Sequence, residues 1–342
     1  MLTCPQMAAA APAPGEGKLD WIRLASGEWL AGRLKYMRNE DIEFDSDKLD
    51  VLHLKWEDVI ELRCSRVLVY AFTEQRLATG PATMRDSVIR VQEEGQVREF
   101  RSEELLSIIE GKGSELDLWS GNFSLGFVAR TGNTDQLDYN SLGFVRRDGA
   151  ISRVDLRYAG NFGELEGARS INNQLGSTRI DLFLSRNLFV TPFALELYSD
   201  EFQNVALRTS ASAGAGVYVI KKKGLEWFLQ VGGGYLSTRY RSVIPGEDIE
   251  DTGASIIPLI SLEWEPVKDL KLNVDYNSNI SIPDVEKLFH HFVALLTVGN
   301  LKIVDLNTSI TWDHVTQPKS SDDGTLPSKD DLRTAFGIGI EF

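Results

Sequence analysis

Cysteine is nearly absent: Cys4 and Cys64 are the only two in 342 residues. That excludes a disulfide framework and a four-cysteine zinc site. No stretch approaches the ~18 uncharged apolar residues of a membrane-spanning helix. Positive charge is in the minority, 36 Lys and Arg against 50 Asp and Glu, for a net −14. A nucleic-acid partner is therefore excluded, because such affinity rests on cations that neutralise phosphates. A mean hydropathy of −0.17 reads as a soluble chain. One class escapes that reading. Strands of a membrane β-barrel alternate lipid-facing and lumen-facing residues, so their hydropathy averages to neutral.

Residues 1–17 lack the charged start and apolar run of a secretory signal. The alanines at 8–11 ahead of Pro12 still resemble the small-residue tail before a cleavage site. This stretch is expected to be a flexible start or signal-peptide remnant, with the true start upstream. Cys4 has no apolar run before it, which argues against a lipoprotein anchor.

Residues 18–116 read as a periplasmic domain of two small β modules. Met37-Arg38, Ile42 and Phe44 recur 47 positions later as Met84-Arg85, Ile89 and Val91. Trp56-Glu57-Asp58-Val59 matches Ser102-Glu103-Glu104-Leu105, one residue out of step. Short alternating runs with turn signals predict strands and hairpins. Units this small bury too little alone, so the copies are expected to pack together. Cys64 is expected to be a small buried apolar residue. A periplasmic partner would bind here, though no residue identifies a ligand.

From residue 117 the period becomes two. Phe123, Leu125 and Phe127 alternate with Asn122, Ser124 and Gly126; Leu270, Leu272, Val274 and Tyr276 oppose Lys271, Asn273 and Asp275. Twelve such segments are predicted, near 117–130, 136–146, 150–162, 174–185, 189–198, 205–219, 225–237, 253–264, 270–276, 288–298, 303–312 and 332–342. Five tight turns alternate with looser, polar links near 131–135, 163–173, 199–204, 238–252, 277–287 and 313–331. Short turns at one end and long loops at the other are the membrane-barrel pattern. The links contain sixteen acidic and six basic residues, the tight turns eight basic and three acidic. The negative charge thus gathers on the outer face, where divalent cations would bridge acidic loops to lipopolysaccharide phosphates. Aromatics sort by strand end: Trp119, Phe189, Trp227, Trp264 and Phe342 beside the tight turns, Tyr139, Tyr158, Tyr235, Tyr276 and Trp312 opposite. Two interfacial girdles are expected. The fold predicted is all-β, an antiparallel transmembrane barrel of about twelve strands (117–342) behind a small tandem-repeat β domain.

The run Leu118-Trp119-Ser120-Gly121-Asn122-Phe123-Ser124-Leu125-Gly126-Phe127, followed by Arg130-Thr131-Gly132-Asn133-Thr134, resembles the opening of the YdiY-like "salt-induced outer membrane protein" family. That family is a domain of unknown function from Gram-negative bacteria. The close, Phe336-Gly337-Ile338-Gly339-Ile340-Glu341-Phe342, resembles the signal by which the outer-membrane assembly machinery recognises barrels. The paired N-terminal modules are similar to those preceding this barrel in some relatives. The resemblance covers residues 116–342. It implies an outer-membrane location with the N-terminal domain in the periplasm, lipid and lipopolysaccharide as surroundings, and a structural or salt-stress role. It supplies no catalytic residues.

Chemistry is sparse. Gly232-Gly233-Gly234 lacks the lysine and helix of a phosphate loop, and no cofactor motif is found. His290, His291 and His314 gather at the outer rim with Asp313, Asp330 and Asp331. Together they form the candidate for a rim hydrolase or metal site, the alternative to a non-enzymatic, porin-like barrel. The better lead is the predicted lumen. It carries Arg146, Arg153, Arg157, Arg179, Arg208, Lys271 and Arg333 beside Asp155, Asp181, Glu196, Glu226, Glu263, Asp275 and Glu341. These either pair and fill the interior or line a narrow path for ions or small solutes.

Overall fold

The computed structural model describes residues 19–111, 114–131, 135–299 and 304–341. The expectations for residues 1–17 and for Phe342 lie outside them. The chain divides into two compact units, Met1–Ser114 and Glu115–Phe342, built on opposite principles.

The first unit comprises β1 (Asp20–Leu24), β2 (Trp29–Arg38), β3 (Asp41–Ser46), β4 (Asp50–Lys55), β5 (Val59–Phe72), β6 (Arg76–Arg85), β7 (Val88–Glu93), β8 (Gln96–Arg101) and β9 (Leu105–Glu110). Their order in the sheet is β4-β3-β2-β1-β5-β6-β7-β8, with β9 against β2 and β5. The sequence repeat is a structural one. Asn39-Glu40 and Asp86-Ser87 turn β2 into β3 and β6 into β7, and all four have positive φ, as type I′ hairpins require. Met37, Ile42 and Phe44 are buried, and so are Met84, Ile89 and Val91. The slip of one residue has a simple cause. Three residues join β3 to β4, whereas two join β7 to β8.

β5 serves both copies. Its first half pairs with β1 and its second half with β9, across a register shift between Cys64 and Leu68. Arg66 sits in that irregular stretch and gathers three strands. It donates to Asp20 Oδ2 through Nε and Nη2 (3.0 and 2.7 Å), to the Leu34 carbonyl (2.7 Å) and to Glu110 (2.8 Å). Cys64 lies in the same core, where burial pushes its thiol well above the usual range. In a Cys4→Ser background, Cys64 should therefore resist maleimide until the unit unfolds. Rapid labelling of the folded chain would contradict this packing.

The second unit is a closed barrel of twelve antiparallel strands: β10 (Trp119–Arg130), β11 (Gln136–Asp148), β12 (Ser152–Leu165), β13 (Ala168–Phe183), β14 (Leu188–Asp200), β15 (Val205–Lys222), β16 (Leu225–Tyr240), β17 (Glu250–Val267), β18 (Leu270–Ile282), β19 (Leu288–Gly299), β20 (Asp305–Val315) and β21 (Asp330–Glu341). β10 closes on β21 through Asn122↔Glu341 to Leu125↔Ile338. Here the large apolar residues point outward: Phe123, Leu125, Val231, Ile260, Phe336 and Ile338 are all exposed, Phe336 by 71%. Asp155, Asp181 and Arg153 are buried. A water-soluble surface does not carry so large an apolar patch; a barrel wall in lipid does.

The links differ from expectation in two ways. The polar stretch 163–173 is a hairpin with only Glu166 and Gly167 at the bend, both of positive φ. β18 runs to Ile282 and β20 to Val315, into stretches read as loop. The outward apolar row is interrupted at Ser278 in β18 and at His314 in β20, so the alternation lapses before the strand ends. The longest outer link, residues 316–329, remains.

Phe189 also departs from its expected place. It was read as an outward girdle residue, but it is fully buried. A register shift between Thr191 and Ala194, at Pro192, swaps faces along β14, since an extra residue inverts the phase of everything before it.

Candidate functional site

Alternation turns the even positions of β11 and the odd positions of β12 inward, so Arg146, Arg153, Asp155 and Arg157 share the interior near the short-turn end. Arg146 spans it. Nη1 and Nη2 donate to both oxygens of Glu263 on β17 at 2.8 and 2.6 Å, while Nε donates to Asp155 at 2.7 Å. β17 is six strands from β11 in a ring of twelve, so this bidentate bridge crosses the full bore. Arg157 on β12 pairs with Asp275 on β18, again six strands away. Arg153 donates to Glu226 on β16 (2.9 Å), to Asp148 (2.8 Å) and to the Tyr218 hydroxyl (3.2 Å). Arg179 completes the layer on Asp155 and lies 3.1 Å from Asp181, which accepts a bond from Thr191.

Aromatic rings fill what the ion pairs leave. Phe189, Tyr218 and Phe228 meet at centroid distances of 5.3 to 5.5 Å, with Phe183 and Leu259 around them. Arg179 lies over Phe228 at 4.9 Å, and Lys221 Nζ lies 4.2 Å from the Phe183 ring. The Phe189 ring rests on Gly216, where a Cβ would come within 2.2 Å of it. Phe144 breaks the polar face of β11 for a reason: Arg146 and Arg157 pack over its ring at 4.9 and 5.3 Å. These rings were missed as interior groups. Tyr218 and Phe228 stand in the polar phase of their strands, which was a usable signal; Phe189, behind the bulge, gave none.

A second polar layer lies near the long-loop end. His291 meets Asp313 at 2.5 Å, and Arg333 pairs with the other oxygen of that carboxylate. Asn277 donates to Glu196 from four strands away (3.1 Å), and Ser210 to Asn279 (3.0 Å). Arg208 lies over Phe289 at 4.1 Å and donates to Thr238. Between the layers the inward side chains are mixed: Ser124, Ser212, Ser261 and Ser309, with Gly214 and Gly232, stand beside Gln230, Ile257, Leu259, Val293 and Leu295. Lys271 is half-buried beside Thr297. The side chain of Glu341 lies outside the described residues.

The rim constellation does not assemble. His290 and His291 are consecutive in β19, so they face opposite sides of the wall. His291, Asp313, Asp331 and Arg333 point inward; His290, His314 and Asp330 point outward. No metal-ligand group of three or more His, Cys, Asp or Glu is found among the described residues. The barrel wall thus separates the residues of the expected hydrolase or metal site.

The fold and interior define a transmembrane β-barrel with a polar, internally bridged lumen. The chain belongs to a family described as "Protein of unknown function, DUF481", whose model matches residues 123–342. None of the curated proteins compared with it matches. Among solved structures it is similar to the NanC porin (10% identity, 65% of this chain and 98% of that one, TM-score 0.39). It is also similar to an anion-selective porin from Comamonas acidovorans (10%, 66% and 98%, TM-score 0.32) and to the outer membrane channel DcaP of Acinetobacter baumannii (10%, 95% and 94%, TM-score 0.30). At these scores the likenesses say nothing of what this barrel carries.

Proposed function

We propose that the protein is a bacterial outer-membrane barrel and a narrow, non-enzymatic pore for ions or small solutes, restricted near its short-turn end by a charged septum. The observation that carries this is the pair of bridges across the full bore, Arg146 to Glu263 and Arg157 to Asp275. Side chains that meet across a lumen narrow it. The resemblance to YdiY-like proteins supports the outer membrane, and the closing run Phe336 to Phe342, which resembles the assembly signal, supports the assembly machinery as partner. That β10 begins at the short-turn end supports a periplasmic N-terminal unit.

Planar-bilayer recording of the full chain tests the reading. Arg157→Ser with Asp275→Ser removes one bridge without stranding either charge. Wild type should open in small unitary steps and the double variant in steps several-fold larger. A wide conductance in wild type, unchanged in the variant, would refute the septum. Silence from both would remove the pore.

A further inference from the structure

The longest outer link lies across the mouth of the barrel. Residues 316–329 leave β20 and return in β21, yet they are held on the other side of the ring. The Lys319 carbonyl accepts from Asn204 Nδ2 at 3.2 Å, in the link between β14 and β15, six strands away in a ring of twelve. The Asp322 amide donates to Ser242 Oγ at 3.1 Å, in the link between β16 and β17, four strands away. A chain that leaves one wall and is fastened at the opposite one has to cross the opening between them.

Both ends of the crossing are built. At the near end Thr316 Oγ1 donates to the Glu286 carbonyl (2.5 Å) and accepts from the Leu288 amide (2.9 Å). At the far end Asn204 is buried; its Nδ2 also donates to the Ser242 carbonyl (2.9 Å), and its Oδ1 accepts from the Ser242 amide (3.2 Å). Three links therefore meet at one side chain. Beside it Lys319 Nζ donates to the Asp248 carbonyl at 2.6 Å, lies 3.8 Å from Glu247 and 3.7 Å from Asp251, and sits 5.0 Å from the Tyr240 ring centre. Its side chain is only 17% accessible, whereas a lysine on an unattached loop keeps its ammonium in water. The tip is folded as well: the Gly324 amide donates to the Ser321 carbonyl (3.0 Å) and the Ser321 amide to the Thr325 carbonyl (2.9 Å). Long links ordered in this way are where movable covers are found. These fastenings are polar, and Leu326 stays exposed, so they can be undone and remade in water.

We propose that residues 316–329 are a lid over the outer mouth, latched by Lys319 on the link between β16 and β17, and that release of the latch opens the lumen to the outside. This role rests on the pore reading. The septum limits the size of the current, and the lid sets how often it flows.

The test records the full chain in planar bilayers, in a Cys4→Ser, Cys64→Ala background. Ser242→Cys with Asp322→Cys puts a disulfide across the contact between the two links, and its formation is followed by faster migration of the denatured, unreduced chain. The oxidised form should spend at least tenfold less time open than the same protein after reduction. Lys319→Met, which keeps the stem on Tyr240 and loses the charge, should be open several-fold longer than the background chain. An unchanged heat-dependent gel shift checks that each variant has folded. Failure of the disulfide to form under oxidant, or currents indifferent both to it and to Lys319→Met, would overturn the lid and leave the pore. Silence of every form, Arg157→Ser with Asp275→Ser included, would refute the pore and the lid with it.

Discussion

Arg146→Met should cost the barrel about 3–5 kcal/mol, the usual consequence of stranding a buried charge. Arg146 and Asp155 are both more than nine-tenths buried, and both oxygens of the Glu263 side chain accept from Arg146. Asp155 retains Arg179, so most of the loss should arise at Glu263. Adding Glu263→Leu should then recover much of it, because replacing both members of a buried pair by apolar groups is often neutral. The exposed pair Arg169–Glu201, 50% and 29% accessible, provides the contrast: Arg169→Ala should leave the urea midpoint almost unchanged. Urea midpoints in detergent micelles, read by tryptophan fluorescence, measure all three. If the single and double septum variants proved equally unstable, the cross-lumen bridge would not be the source of the effect.

The ion pairs explain how a chain with so many interior charges can be a stable membrane protein. A soluble domain buries its apolar side chains, and the first unit does so around Leu34, Phe44, Leu62 and Tyr70. The barrel gives its apolar side chains to lipid and must fill its interior with what is left. Arginines that reach two or three acceptors each solve that problem in the inner layer. The neutral mean hydropathy is the average of these two faces.

Much of this was legible because alternation within a strand is local. The outward row on β17, Ile256, Ile260, Leu262 and Trp264, needs only its own sequence. Pairing across the bore does not. Arg146 and Glu263 are 117 residues apart. Twelve strands place β11 opposite β17, but the stagger of the closed sheet decides which rungs share a height, and no local pattern encodes it. Phe189 was misplaced because one irregular step at Pro192 inverted its face. The histidine cluster failed on information already present: residues 290 and 291, adjacent in one strand, cannot share a side. The duplicated module was readable from Met37 and Met84. That β5 belongs to both copies was not, since its Cys64-to-Leu68 irregularity has no counterpart in the repeat.

That shared strand is where the N-terminal unit should be most vulnerable. Asp20 is fully buried, and its Oδ2 accepts from Arg66 Nε and Nη2 and from the Leu34 amide (2.9 Å). Asp20→Ala removes all three bonds. Arg66 keeps Glu110 and the Leu34 carbonyl, but β1 loses its tie to the crossover of β5, and a backbone donor on β2 is left buried without its acceptor. A cost of about 3–5 kcal/mol is expected, by the same physics as the septum; Asp20→Asn, which keeps an acceptor but no charge, should cost less. Total stability of a small unit is only about 5–15 kcal/mol. The loss should therefore appear as rapid proteolysis within residues 19–110 of the full chain, while the heat-dependent gel shift of the barrel stays normal. Equal protease resistance of Asp20→Ala and wild type would show that the two modules do not depend on this ion pair.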